Sequence, residues 1–235
     1  MKHSVFKFLS IIFSNKCAYC KSATENVLCS KCASFVKTVR EPLCDKCGKP
    51  IFACVCDNGR KKLPYEKCLS VFEYNNIKTT ALIYKIKENG NRTAVLFIAS
   101  KMAELIKSGF KDVEFDCVTY VPSSRFSRIR KGFDHAGAIA KEISEILDVP
   151  VTFPPIVSRS SIRLKFLNKK TRKNVVKRKF VPNKYKIEGK VLLVDDVMTT
   201  GETLFRCSEI IKEKGAKEIY CITAATVVKK NKKHK

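Results

Sequence analysis

No run of 18 apolar residues occurs anywhere in this 235-residue chain, so no membrane-spanning helix is expected. The nucleotide-binding pattern G-x-x-x-x-G-K-[ST] is missing too, which removes the P-loop ATPases and GTPases. Histidine is scarce, with three in all, and His135 reads as a helix-start residue rather than a general base. Acidic side chains are few: 22 Asp and Glu stand against 47 Lys and Arg, a formal net charge of +25. That imbalance concentrates polyanions and favours nucleic acid or phosphorylated small molecules as partners. A solvated, lysine-rich face is the bland alternative. No small-residue cleavage site precedes Cys17, and the apolar residues 6–13 are few and interrupted by Lys7. They read as an amphipathic lead-in helix, and a cytoplasmic setting is the expectation. Beyond the cysteine pairs there is no internal repeat.

Cysteine, by contrast, is abundant. Twelve occur, and eight of them fall between Cys17 and Cys56. The pattern is Cys17-x-x-Cys20, Cys29-x-x-Cys32, Cys44-x-x-Cys47 and then Cys54-x-Cys56. A C-x-x-C turn offers two thiolates to one tetrahedral metal, and two such turns complete a four-cysteine zinc site. Redox chemistry is the competing reading, but a redox C-x-x-C ordinarily comes once, beside a βαβ unit. The second set is the weaker, because Cys54-Val55-Cys56 is one residue short of the usual spacing. In a segment with so little apolar material the metal would supply the folding free energy. Cys68, Cys117, Cys207 and Cys221 lie singly in apolar stretches and read as core residues.

Residues 1–60 therefore form a cysteine-rich zinc-binding module, residues 61–228 an α/β domain, and residues 229–235 a basic tail. In the middle segment the texture changes to strands alternating with helices. Strands are expected over 68–74, 115–121, 191–194 and 218–228. Helices are expected over 78–87, over 92–107 with Leu96, Ala99, Met102 and Ile106 on one face, from Asp134 with Ile139, Ile143, Ile146 and Leu147 buried, and over 203–214. Such alternation indicates a mainly parallel sheet covered on both faces, which binds ligands at the carboxyl ends of its strands.

The sharpest local signal is Val191-Leu192-Leu193-Val194-Asp195-Asp196-Val197-Met198-Thr199-Thr200-Gly201-Glu202-Thr203. Four apolar residues give a buried strand. Two carboxylates follow at its end, where burying charge is costly unless it binds something. Thr199 to Thr203 then make a tight turn around a glycine and open a helix, whose free N–H groups and dipole favour an anion. Carboxylates beside an anion cradle suit a sugar phosphate, with the acids on the ribose hydroxyls. An Asp-rich turn that merely caps a helix is the simpler alternative. A second cationic segment runs from Pro122 to His135 and holds Ser123, Ser124, Arg125, Arg128, Arg130 and Lys131. It could hold pyrophosphate, or single-stranded DNA by phosphate contacts and stacking on Phe126 and Phe133. Eight further cations lie between Lys165 and Lys179, as a hood over the site or as a solvated charge run.

The strand–acid–turn segment resembles the phosphoribosyl pyrophosphate (PRPP) motif of type I phosphoribosyltransferases. The resemblance implies that Asp195 and Asp196 contact ribose hydroxyls, that Thr199, Thr200, Gly201, Glu202 and Thr203 bind the 5′-phosphate, and that Mg²⁺ accompanies PRPP. It also implies that the segment with Ser123, Ser124 and Arg125 is the pyrophosphate loop. More of the chain is similar to the ComF family of competence proteins, which pair an N-terminal double zinc ribbon with this fold. That wider similarity rests on the cysteine pairs, Tyr74 with Lys85-Ile86-Lys87, Val121-Pro122, Arg130-Lys131-Gly132-Phe133-Asp134, Arg159 and Arg172-Lys173-Asn174-Val175. Two positions depart from the family's habit: no Gln stands near Leu164, and Lys131 replaces the usual Arg.

Two functions follow as expectations. One is a DNA-uptake factor that binds single-stranded DNA and a ribose-phosphate ligand such as PRPP or a nucleotide, with other competence proteins such as a helicase as partners. The other is a working phosphoribosyltransferase, although no residue set for a nucleobase acceptor is apparent. Fold likeness alone does not choose between them.

Overall fold

Six strands and five long helices lie among residues 16–54, 56, 62–89, 91–159 and 175–229, which the computed structural model describes, the side chains of residues 86–90, 130 and 131 excepted; residues 175–179 are also helical. The strands are β1 (Lys67–Glu73), β2 (Cys117–Tyr120), β3 (Ile156–Ser158), β4 (Phe180–Pro182), β5 (Gly189–Met198) and β6 (Ala216–Thr226). The helices are α1 (Ile77–Asn89), α2 (Arg92–Gly109), α3 (Arg125–Lys131), α4 (His135–Leu147) and α5 (Glu202–Glu213). Four strands form one sheet in the order β1-β6-β5-β2, every pairing parallel. β3 and β4 make a separate antiparallel pair.

β5 shows why the sheet is buried on both faces. Val191 and Leu193 pack with Leu204, Cys207, Ile210 and Ile211 of α5. Leu192 and Val194 pack on the opposite side with Ile98 and Met102 of α2 and Ile139 and Ile143 of α4. Successive side chains of a strand point to opposite faces, so a continuous apolar run needs cover on both. α2 begins at Asn91, whose side chain accepts from Ala94 N at 2.9 Å, the usual work of an N-cap.

The connections fix the binding edge. From β5 the chain passes through α5 to β6, towards β1. From β2 it passes through α4, on the other face, to a segment where Val151 bridges Val118 outside β2. Neighbouring strands β5 and β2 thus send their connections in opposite directions. Their carboxyl ends mark the topological switch point, where open α/β sheets hold ligands.

The cysteine-rich segment is not a free appendage. Thr38 pairs antiparallel with Phe72, Val39 N donates to Val71 O at 3.1 Å, and Cys68 N donates to Lys46 O at 2.8 Å. The module therefore covers the edge of β1, whose unpaired backbone would otherwise template pairing with another chain.

Several expectations shift. β5 does not stop at Val194 but runs through both acids to Met198, because β6 continues beside it, with Asp195 opposite Thr223 and Val197 opposite Ala225. Residues 125–131 are helical rather than loop, capped at Gly132 with φ 77°. Leu96 and Ile146 turn outward. The inner face of α2 is instead Val95, Ile98, Ala99, Met102 and Ile106, a stripe one residue out of phase at its start. The lead-in residues 6–13, the segment 160–174 with Arg172, Lys173 and Asn174, and the tail from residue 230 onwards lie outside the described residues.

Candidate functional site

At the end of β5, Asp195 is 8% exposed and Asp196 half-buried, with Asp196 N donating to Asp195 Oδ1 at 2.8 Å. Asp196 is therefore the acid with more room to meet a ligand. The Asp195 charge is felt behind it: burial first, and then Asp195, push the Cys207 thiol well above its ordinary range. Burial also holds Cys221 at about 12, helped by Asp195 and opposed by a hydrogen bond from Ser208. Both are neutral core thiols, as their apolar surroundings suggest.

The turn after β5 has its carbonyls tied back. Met198 O accepts from Thr226 Oγ1 at 3.1 Å and from Val227 N at 2.9 Å. Gly201, with φ 75°, leads into α5, and its carbonyl accepts from Phe205 N at 2.9 Å. The first N–H groups of α5, from Glu202 and Thr203 onwards, have no partner within the helix. Thr200 Oγ1 is buried and has no hydrogen-bond partner among the described residues. A buried hydroxyl left unsatisfied is rare and costly, and here it sits in the turn expected to cradle an anion.

The neighbouring strand brings the second segment alongside. Val121 N donates to Val194 O at 2.9 Å, which ties the start of the Ser/Arg segment to the end of β5. Ser123 is held by Asp134, through its N–H to Oδ2 at 2.8 Å and its hydroxyl to Oδ1 at 3.2 Å. Burial pushes the Asp134 carboxyl up against these hydrogen bonds and against the Arg128 charge, 3.8 Å away. Ser124 is buried and caps α3, accepting from Ser127 N at 3.2 Å. Arg125 and Arg128 are exposed, as are Phe126 and Ile129. Phe133 is instead half-buried and packs edge-on to His135, their ring centroids 4.9 Å apart. Of the two aromatics Phe126 is the more exposed. The side chains of Arg130 and Lys131 lie outside the described residues.

The eight cysteines gather into two groups of four: Cys17, Cys20, Cys29 and Cys32, and Cys44, Cys47, Cys54 and Cys56. Within each group all the Sγ atoms lie within 4.8 Å of one another. Four thiolates about 2.3 Å from one zinc ion stand about 3.8 Å apart along the tetrahedron's edges. The Cys20–Cys29, Cys44–Cys56 and Cys47–Cys54 pairs lie at 3.6, 3.7 and 3.7 Å. Both groups fit zinc, including the one with the short Cys54-x-Cys56 spacing. In the first group burial opposes ionisation of Cys17, but N–H groups of Cys29, Cys20 and Tyr19 outweigh it and draw the thiol down to about 6. Burial and the neighbouring sulfurs push Cys32 up to about 12. Lys78 Nζ donates to Cys32 Sγ at 3.8 Å, and lies 4.1 Å and 4.8 Å from the ring centroids of Phe35 and Tyr19. Partners of this kind orient a ligand and compensate thiolate charge.

One residue that sequence reasoning passed over reaches this site from the cysteine module. Lys49 is 1% exposed, and its Nζ donates to Thr199 O at 2.7 Å and to Val227 O at 2.6 Å. Its position between cysteine pairs, in Cys47-Gly48-Lys49-Pro50, looks like solvent-facing knuckle. Its partners are 150 and 178 residues away in the chain, so no local pattern could have flagged it.

With this geometry in view, comparison with known proteins is direct. The phosphoribosyl transferase domain family matches residues 130–235, and the double zinc ribbon domain family matches residues 8–69. Competence protein F of Haemophilus influenzae is 28% identical over 223 residues, 88% of this chain and 95% of that protein. The amidophosphoribosyltransferase of Saccharomyces cerevisiae is 30% identical over 138 residues, 58% of this chain but 25% of that enzyme. A solved glutamine PRPP amidotransferase from B. subtilis, complexed with ADP and GMP, is 24% identical, with a TM-score of 0.37 over 56% of this chain and 26% of that one. The expected resemblance, a phosphoribosyltransferase-type α/β fold behind a double zinc ribbon in a chain homologous to Competence protein F, is borne out.

Proposed function

We propose that this homologue of Competence protein F is a cytoplasmic DNA-uptake factor. It holds single-stranded DNA on its basic surface and a ribose-phosphate ligand, PRPP with Mg²⁺ or a nucleotide, at the carboxyl ends of β5 and β2. The observation that carries the reading is the orphaned Thr200 hydroxyl, in a glycine-centred turn next to two carboxylates. In this reading Asp195 and Asp196 serve the ribose hydroxyls, Asp196 the more directly, and Thr199 to Thr203 hold the 5′-phosphate. Ser123, Ser124 and Arg125 face the pyrophosphate, the Ser124 hydroxyl still having its proton to donate while it caps α3. Mg²⁺, a hard cation, would be held chiefly by the pyrophosphate oxygens.

Arg128, Arg130 and Lys131 supply phosphate contacts to DNA, and the exposed Phe126 a stacking surface. A net charge of +25 strengthens the encounter with a polyanion. A helicase of the uptake machinery is the natural protein partner for a factor that receives a single strand. The zinc ribbons act as a mount rather than a reaction centre. The same site would suit a phosphoribosyl transfer, and the similarity to amidophosphoribosyltransferases favours that second reading. There, leaving pyrophosphate would be stabilised by the same preorganised donors.

Calorimetry of PRPP–Mg binding, with and without single-stranded DNA, tests the first reading. Heat of binding for both ligands is expected. Protein that is fully zinc-loaded and folded but gives no heat with PRPP rejects the ribose-phosphate site, and release of pyrophosphate on addition of an acceptor would favour the transferase.

A further inference from the structure

Lys49 belongs to the second cysteine group by position and to the phosphate turn by contact. Its loop is tightly specified: Gly48 N donates to Cys44 O at 2.9 Å, Cys44 N donates to Lys49 O at 2.8 Å, and Leu43 bridges Pro50. Gly48 has φ 64°, and a Cβ built there would lie 2.2 Å from Cys68 O. The knuckle is thus pressed against β1 with no space for a side chain, and a metal at Cys44 and Cys47 fixes the backbone from which Lys49 projects. Burying an ammonium is costly unless acceptors surround it. Here they are carbonyls of the turn after β5 and of the segment after β6.

Peptide geometry gives this contact a consequence for ligands. Across a planar trans amide the C=O of one residue and the N–H of the next point in opposite directions. With Thr199 O held by Lys49, the N–H of Thr200 is turned away from the ribbon. With Met198 O held by Thr226 and Val227, the N–H of Thr199 is turned away from β6. Successive N–H groups followed by a left-handed residue, here Gly201, form an anion-binding concavity. The Lys49 charge also stands directly behind that concavity and adds to its positive potential.

We propose that Lys49 is a positioning residue through which the second zinc ribbon sets the phosphate cradle, so that affinity for a phosphate ligand depends on metal at Cys44, Cys47, Cys54 and Cys56. This rests on reading the turn as a phosphate site. Coupling of this kind is reciprocal, so a bound phosphate ligand also strengthens the hold on that zinc ion.

The test uses the full zinc-loaded chain as wild type, Lys49→Met and Lys49→Gln, with Lys46→Met, an exposed lysine of the same knuckle, as control. Three quantities are read: zinc content, hydrogen exchange of the peptide spanning residues 198–204, and affinity for PRPP–Mg. Lys49→Met is expected to keep both zinc ions, to exchange faster at 198–204, and to bind PRPP–Mg about 5- to 150-fold more weakly, the usual range of a coupling between two sites. Lys49→Gln keeps two N–H donors without the charge and falls between. Should Lys49→Met fail to fold, Lys49→Gln carries the same measurements. A role in folding alone would lower the melting temperature and leave ligand affinity untouched, which overturns the proposal. Cys54→Ser/Cys56→Ser protein that has lost one zinc ion yet binds PRPP–Mg as wild type overturns the dependence on metal. Wild-type protein giving no heat with PRPP–Mg overturns the phosphate reading itself, and is distinguished from failure of Lys49's part by the wild-type arm.

Discussion

Replacing Thr200 with valine removes one hydroxyl and keeps the β-branched shape of the side chain. Thr200 Oγ1 is buried with no hydrogen-bond partner among the described residues, and leaving such a group unsatisfied costs about 1–3 kcal/mol. Thr200→Val therefore relieves a cost in the absence of ligand, and the folded protein should become more stable by a substantial part of that amount. For a chain of this size each kcal/mol moves the melting temperature by about 2–4 °C. With ligand the sign reverses. A hydroxyl that donates to a phosphate oxygen makes a charge-assisted hydrogen bond of roughly 1.5–3 kcal/mol, so PRPP–Mg affinity should fall about tenfold to a hundredfold. Thermal melts of zinc-loaded protein, paired with calorimetry, read both effects. Opposite signs, a higher melting temperature and weaker binding, are what a ligand cradle demands. If the turn only caps α5, the substitution should leave ligand affinity unchanged. Thr200→Val protein that melts at or below wild type and binds PRPP–Mg equally well would refute the reasoning.

Asp196→Asn should weaken PRPP–Mg by about tenfold or more with zinc content and folding intact, since an amide oxygen is a poorer acceptor and its NH₂ a wrong donor; calorimetry against elemental analysis checks it. Protein purified without added metal should contain two zinc ions per chain, and less than about half an equivalent, with the cysteines in disulfides, rejects the metal reading. Single-stranded DNA should bind with little sequence preference and with a log–log salt slope of about −0.7 per phosphate neutralised. Arg128→Ala should flatten that slope, and an unchanged slope removes Arg128 from the interface.

The parts of this molecule legible in its sequence are those whose cause is local. Cysteine spacing gave both metal clusters their membership, because a C-x-x-C turn fixes two ligands by backbone geometry alone. The glycine at 201 and the apolar run at 191–194 placed a tight turn after a buried strand, and Gly201 adopts a left-handed φ of 75° there. What escaped depends on neighbours distant in the chain. Two charged residues normally end a buried strand, yet β5 continues through Asp195 and Asp196 because β6 pairs with it to Met198 opposite Thr226. Leu96 fits an apolar helical stripe as well as Val95 does. Only the position of the sheet under α2 decides which one is buried.

The zinc ribbons also show how a metal module becomes part of a fold. The first group does not stand apart: Cys17 and Cys32 are buried together with Leu28, Leu69 and Val71 in the core on the α2 side of the sheet. The second leans on β1 through Gly48 and Lys46 and reaches the turn after β5 and the segment after β6 through Lys49. These contacts fall on β1 and on the residues that directly follow β5 and β6, and β5 carries the two acids just before its end. Metal-binding free energy in a segment with little core of its own is folding free energy. Here the segment that this energy would fold also contacts the sheet edge and the turn after β5. A strand edge that would otherwise stay open to another chain is closed by residues 37–39. The closure and the buried lysine come from one continuous stretch of chain, so deleting the ribbon would expose β1 and release the Thr199 turn together.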